Sequence, residues 1–449
     1  MTQENTLIVS VSGIRGKIGQ GLGPEVATAF ATALGTHTSA GPIVVSRDGR
    51  PSGSMLHHAV LAGLLSAGCN VHDVGVAPTP TCGLAVQRLR AAGAVQITAS
   101  HNPAPWNGLK LFGPGGMVLT AEEGKRVQGV FEQRQFRQVR WNELGTVTPC
   151  VQAGEWHRDR ILELIDPERV RVRRFRVFLD ANGGAGGPLG RKLLESLGCT
   201  VVCRGCDADG RFLHEPEPVA DNLRDVYPLV PQNNADLGLV LDPDADRLAI
   251  IDERGQYIGE EMTLALATRY RLRRDRGPVV INMSTSRVVE DIAKELGCPC
   301  ARAAVGEANV AERMREIKAV FGGEGNGGVI DPRVGYVRDP FIGMALILSS
   351  LAEENKRLSQ IVAALPAYHI VKDKYTADRA GLPDLFRRLE ERWPDARRNH
   401  LDGLRLDWND RWVHVRPSNT EPIVRVIAEA PKEVDARALC QTVGGLLAG

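Results

Sequence analysis

No stretch of this chain offers the roughly 18 consecutive apolar residues that a membrane helix requires. The nearest run, Phe341 to Leu351, is too short. The opening MTQENTLIVS lacks a basic segment followed by a long apolar one, so no secretory leader is expected. An excess of either charge is missing too. Lys and Arg number 55 against 54 Asp and Glu, a formal charge of +1, which gives no electrostatic reason to expect nucleic acid or an acidic membrane as partner. Paired cysteines are missing as well: nine, an odd number, are scattered along 449 residues. That pattern suits reduced thiols in a cytoplasm rather than a disulfide framework. Cys203 and Cys206 form a CxxC, with Cys298 and Cys300 elsewhere. Without a second matching pair they read as structural thiols rather than a zinc or redox site.

What is present is core material and repetition. Hydrophobic residues make up 43% and charged ones 24%, a globular composition. Length alone suits about three domains of roughly 150 residues. IVVSRDGRPSG (43–53) is an apolar strand running into a polar turn; a helical stretch follows, ending at Gly68-Cys69 before another strand. RVFLDANGGAGG (176–187) repeats the theme and ends at Gly198-Cys199, and PVVINMSTSRVVED (278–291) repeats it to Gly297-Cys298. Each glycine fits the left-handed position that closes a helix. The units read as βαβ, implying mixed or parallel sheets covered by helices. The last segment differs: GLRLDW, WVHVR and PIVRVIAEA read as strands and PKEVDARALCQTVGGLL as a terminal helix, a smaller α+β domain. The charged stretch KDKYTADRAGLPDL reads as loop following a boundary near Pro366. The expected division is 1–150, 151–254, 255–367 and 368–449: three similar mixed α/β domains plus the α+β domain.

Four polar loops carry the chemistry. TASHNP (98–103) lies between the strand AVQIT and the strand GLKLF, so Ser100 sits at a strand end, where α/β proteins place reacting groups. Thr98 and Asn102 stand where a hydrolase elbow needs glycines, which excludes that motif; alone, Ser100 reads as a turn serine. LDPDADR brings Asp242, Asp244 and Asp246 together, and three clustered carboxylates call for a hard divalent cation, with room left for a phosphate oxygen and water, as Mg²⁺ prefers. An EF-hand would place Glu253 at its twelfth position, but Arg247 occupies the required glycine and strands flank the loop. GGEGNGG (322–328) is a weak dinucleotide match, because no helix follows; Glu324 and Asn326 instead suit paired sugar hydroxyls. RPSNTEPIVR supplies Arg416, Ser418, Asn419, Thr420 and Arg425, a fork of donors for phosphate. Arg15 on the turn of SVSGIRG, with His101 and Lys110 near the serine, completes the set. A phosphate carrier, a cation, a ring anchor and a second phosphate clamp are what phosphoryl transfer onto a sugar needs.

With SGIRG, TASHNP, DPDADR, GGEGNGG and RPSNTEP in that order, the whole chain resembles the α-D-phosphohexomutase family. The resemblance implies three similar α/β domains and a fourth around a central cleft. It implies that Ser100 is a phosphoserine, passing its phosphoryl group to a sugar phosphate and recovering the other one after the bisphosphorylated hexose turns round. It implies Mg²⁺ held by Asp242, Asp244, Asp246 and a Ser100 phosphate oxygen. Glu324 and Asn326 would grip hydroxyls, and the 416–425 loop would hold the non-transferring phosphate. Arg15, His101 and Lys110 match positions near the serine, with Lys110 the preferred general base, and Arg247 would touch phosphate or sugar. Departures lie in the third domain. Asn326 and Gly328 stand where many members have serine and histidine, Glu307 where some have histidine, and Arg338-Asp339-Pro340 implies a stiffer turn than R-D-G. The E-G-N-G-G form is similar to members called phosphoglucosamine mutase, or to broad phosphomannomutase/phosphoglucomutase enzymes.

The expectation is therefore a cytoplasmic mutase of hexose or hexosamine phosphates, monomeric or homodimeric, partnered by small-molecule sugar phosphates and not by membrane or nucleic acid. Its fourth domain is expected to swing on its linker to admit the intermediate. Two rivals differ in class. A phosphatase or kinase would use the acidic loop, the phosphatase with an aspartate of DPDAD as nucleophile, and a non-catalytic regulator would bind sugar phosphate without turnover.

Overall fold

A computed structural model of the protein describes residues 6–10, 13–376, 379–417 and 423–448. Four sheets follow one another along the chain, and the first three share a plan. Ile43–Arg47 pairs in parallel with Val71–Val76, Arg176–Asp180 with Thr200–Arg204, and Val279–Asn282 with Cys300–Ala303. The helices between them end at Gly68, Gly198 and Gly297, with φ of +86°, +73° and +68°, the left-handed closures that glycine adopts without a Cβ clash.

On its other side each first strand takes a third strand in parallel, and that strand turns into an antiparallel fourth. The hairpins are Gly93–Ile97 with Trp106–Phe112, Leu237–Leu241 with Leu248–Asp252, and Phe321–Glu324 with Gly328–Ile330. The serine loop, the acidic loop and the glycine-rich loop are thus the same turn in three copies of one unit. The strands ahead of the first two loops, Gly93–Ile97 and Leu237–Leu241, are buried at every residue, as expected for apolar strands covered on both faces. The first sheet adds Ile8–Ser10 and Gly13–Lys17 at one edge and Val147–Pro149 at the other, seven strands in all.

The apolar run beginning at Phe341 is a helix, Pro340–Glu354, buried continuously from Pro340 to Leu351. Asp339 caps it, accepting from the backbone N–H of Phe341 at 2.9 Å and Ile342 at 3.3 Å. Pro340 therefore opens a helix instead of stiffening a turn, because a first-turn proline has no N–H to lose. Asp339 also meets His157, whose Nε2 lies 2.9 Å from Asp339 Oδ2 and whose Nδ1 lies 2.9 Å from Thr81 Oγ1. This fully buried contact joins segments from the first three domains.

The fourth sheet is antiparallel, in the order His369–Thr376, Ile423–Ala430, Trp412–Pro417, Leu404–Asp407, Arg397–Asn399. KDKYT is not loop: it lies within the strand His369–Thr376, and the helix Leu382–Arg392 follows. That strand is at a sheet edge, where half-exposed positions accept Lys and Asp without apolar alternation. Buried polar groups dock this domain on the third. Ser284 Oγ lies 3.0 Å from His414 Nδ1, the Arg287 N–H donates to Glu429 Oε1 at 3.0 Å, and Arg405 donates to the Met283 carbonyl. All nine cysteines are free thiols. Among the described residues no helix is long and apolar enough to cross a membrane.

Candidate active site

Ser100 is buried and takes a left-handed backbone, φ +52°. A non-glycine residue there costs about 1–3 kcal/mol, retained where the surroundings over-determine it. Its N–H donates to Thr98 Oγ1 at 2.8 Å, and its Oγ lies 3.3 Å from His101 Nδ1. Arg247, then burial, then Arg15 push His101 down to about 2, so its imidazole is neutral. Arg15 reaches the same loop, donating to Asn102 Oδ1 at 3.3 Å.

Asp242, Asp244 and Asp246 are fully buried and offer oxygens that all lie within 4.8 Å of one another, the only such acidic, histidine or cysteine cluster among the described residues. Asp242 Oδ2, Asp244 Oδ1 and Asp246 Oδ1 accept no hydrogen bond. Burial, Asp246 and Asp244 together push the Asp242 carboxyl well up. Three buried acceptors with nothing to accept from fit a hard, oxygen-seeking divalent cation. Glu253 is not part of this loop: it receives the Ser359 N–H at 3.3 Å elsewhere, which removes the EF-hand alternative.

Of the other carboxylate oxygens, Asp246 Oδ2 holds cations. Lys110 Nζ stands 2.8 Å from Asp246, 3.9 Å from Asp244 and 3.3 Å from Glu307. Burial pulls Lys110 down, but those three carboxylates outweigh it and hold it above the usual lysine value. Arg338 donates to Asp246 at 2.6 Å and to Glu324 at 3.1 Å, and its Nε sits 3.5 Å from Glu307. Glu307 is thus, after Asp246, a second counterion shared by Lys110 and Arg338. Burial raises Asp246, but Arg338, Lys110 and Arg247 outweigh it and hold the carboxyl well below the ordinary range.

Glu324 is engaged on both oxygens: Asn282 donates at 2.8 Å, the Gly306 N–H at 2.9 Å and Arg338 at 3.1 Å. It is more enclosed than a free sugar ligand. Asn326 is the member of that loop facing the cleft. The cleft has a volume of about 290 Å³ and is lined by His101, Arg247, Asn326 and Arg425, one from each expected domain, together with Glu217, Glu260, Lys372 and Lys374. Arg247 Nη1 donates to Glu217 at 3.1 Å, and Arg416 Nε lies 3.1 Å from Asp402. Ser418, Asn419 and Thr420 lie outside the described residues.

Several site residues were not singled out from sequence. Asp48 and Arg50, in SRDGR, support the serine loop. Thr79 donates to Asp244 Oδ2 at 2.7 Å. Glu217, Lys372 and Lys374 line the cleft. SRDGR carried the available signal, a charged turn at a strand end like the others.

Comparison with known proteins agrees with this geometry. The family descriptions for "Phosphoglucomutase/phosphomannomutase, alpha/beta/alpha domain" I, II and III match residues 7–138, 156–255 and 259–368, and that for the C-terminal domain matches 377–443. The chain belongs to the phosphoglucomutase/phosphomannomutase family and is a phosphohexomutase enzyme. It is 36% identical over 433 residues to a Methanopyrus kandleri protein named "Probable phosphoglucosamine mutase", covering 95% of each. It is 37% identical over 440 residues to a "Phosphoglucomutase/phosphomannomutase" of Thermococcus kodakarensis, again 95% of each. A crystal structure of a family protein from Burkholderia thailandensis superposes with a TM-score of 0.85 at 27% identity, covering 98% of this chain and 96% of that one.

Proposed function

We propose that the enzyme interconverts the 6- and 1-phosphates of a hexosamine through a phosphoserine at Ser100 and a bisphosphorylated sugar that also serves as activator, and that it works in the cytoplasm as a monomer or homodimer. The observation that supports this reading is the shared cleft: His101 beside the serine, Arg247 at the end of the acidic loop, Asn326 of the glycine-rich loop and Arg425 of the last domain line one cavity.

In the first half-reaction a sugar hydroxyl oxygen bonds the phosphorus as the Ser100 Oγ–P bond breaks. After the intermediate reverses, Ser100 takes back the other phosphoryl group. Arg425 and Arg416, with Ser418, Asn419 and Thr420, hold the phosphate that is not transferring. Mg²⁺ held by Asp242, Asp244 and Asp246 would neutralise charge on the group in flight. Arg15 and Arg247 add fixed positive charge beside the serine. Lys110 moves the hydroxyl proton. Held as an ammonium by Asp244, Asp246 and Glu307, it gives a proton to the departing Ser100 Oγ, and the amine so formed takes up the proton released by the attacking sugar hydroxyl. Asn326 reads the sugar hydroxyls, with Glu324 behind it.

Hexosamine is favoured because several relatives carry the phosphoglucosamine mutase name, and the resemblance carried by E-G-N-G-G leans the same way. The Thermococcus relative supports the glucose/mannose alternative. A panel of glucosamine, N-acetylglucosamine, glucose and mannose phosphates decides it. The highest kcat/KM is expected for glucosamine; a glucose or mannose phosphate turned over more efficiently would reverse the assignment.

A further inference from the structure

Arg50 is 1% exposed and has spent all five of its N–H donors on the region around Ser100. Nη2 donates to the carbonyls of Ser100 at 2.7 Å and Asn102 at 2.6 Å. Nη1 donates to those of Pro103 and Trp106, both at 2.9 Å, and Nε to Asp48 Oδ2 at 3.0 Å. Asp48 Oδ2 also accepts from Thr98 Oγ1 at 2.6 Å, and that hydroxyl in turn accepts the Ser100 N–H. The Phe212 ring of the second domain lies 5.0 Å from the guanidinium.

We infer that Arg50, through Asp48 and Thr98, is a positioning residue for phosphoryl transfer. It clamps Ser100 at both its N–H and its carbonyl, in a backbone conformation that an alanine or serine would not choose alone. A transfer run in both directions requires one fixed nucleophile position, because the sugar turns and the serine does not. Misplacement of a reacting atom by an ångström lowers the rate without weakening binding. A bifurcated fork is needed to bind four carbonyls, and lysine's single ammonium cannot reproduce it. The inference rests on Ser100 being the phosphoryl carrier.

The test compares wild type with Arg50→Lys and Thr98→Val on the best substrate of the panel. It also follows the fate of ³²P on the labelled phosphoenzyme. Arg50→Lys is expected to lower kcat about 10²-fold with KM within about threefold, and Thr98→Val to lower kcat about tenfold. In both, the share of label lost to water instead of sugar rises. A purely structural role would reduce the amount of active enzyme and leave that partition unchanged. An unchanged partition in the folded variants overturns the inference, and Thr98→Val decides alone if Arg50→Lys does not fold. Wild type without phosphate on Ser100 would instead overturn the carrier assignment beneath it.

Discussion

Asp242 holds a charge that the proposed Mg²⁺ would use and that burial beside two other carboxylates makes costly. Its Oδ1 accepts the N–H groups of Asp246 and Arg247, both at 3.0 Å, and its Oδ2 faces the other carboxylates without a donor. Asp242→Asn keeps the shape and the accepting oxygen while removing one of three crowded charges. The variant is expected to lose on the order of 10²-fold in kcat and to require more Mg²⁺. Without metal it should be more stable by about 1 kcal/mol, read as a higher Tm in EDTA. Equal Mg²⁺ dependence in the two proteins would contradict a metal role. The aspartates were readable from spacing alone because alternate positions of one tight loop can aim at one point. Arg338 and Arg50 were not, because their partners lie 92 residues away at Asp246 and 50 away at Ser100, a proximity only the fold creates.

At the scale of elements, the hairpin turn is the unit that was adapted three times. The loops depend on close backbone approach, and Gly327 shows it. Its φ is +85°, its carbonyl accepts the Leu248 N–H at 3.1 Å, and a Cβ there would lie 2.3 Å from the Leu248 carbonyl oxygen. Gly327→Ala is expected to cost about 1–3 kcal/mol and to raise KM about tenfold, by shifting Asn326 against the end of the acidic loop. Gly129→Ala, on a helix with nothing within 4 Å of the new Cβ, serves as contrast and should be neutral or slightly stabilising in a denaturant titration. A Gly327→Ala protein as stable and active as Gly129→Ala would show that the approach is unimportant. The first two hairpins were legible because apolar strands bracket polar turns; the third was not, because its second strand, Gly328–Ile330, is three residues long. The strand His369–Thr376 was hidden because edge position, not alternation, selects its charged residues.

In the whole molecule, the fourth domain closes the cleft by docking on the third, and the contact is set for neutral pH. His414 is fully buried between Ser284 Oγ and the Asp402 carbonyl, and burial holds it down to about 4 against an ordinary 6.5. Between those values the unfolded chain binds a proton that the folded one refuses. This contribution is therefore complete above pH 6.5 and is lost as pH falls toward 4, by up to about 3 kcal/mol. Tm measured from pH 7 to 4.5 should fall less steeply in His414→Gln than in wild type; parallel slopes would show that His414 does not contribute to the pH dependence. The expected swing of this domain must break that docking or carry the third domain with it. Scattering profiles that match with and without a bisphosphorylated sugar would count against any swing. The proposed mechanism depends first on Ser100 carrying the phosphoryl group. Intact-mass measurement of enzyme treated with a bisphosphorylated hexose tests it most directly. An added mass of about 80 Da is predicted, mapping to the Ser100 peptide, discharged by hexose phosphate and absent, along with mutase activity, in Ser100→Ala. Interconversion by an enzyme that never bears phosphate at Ser100, or by Ser100→Ala itself, would contradict it.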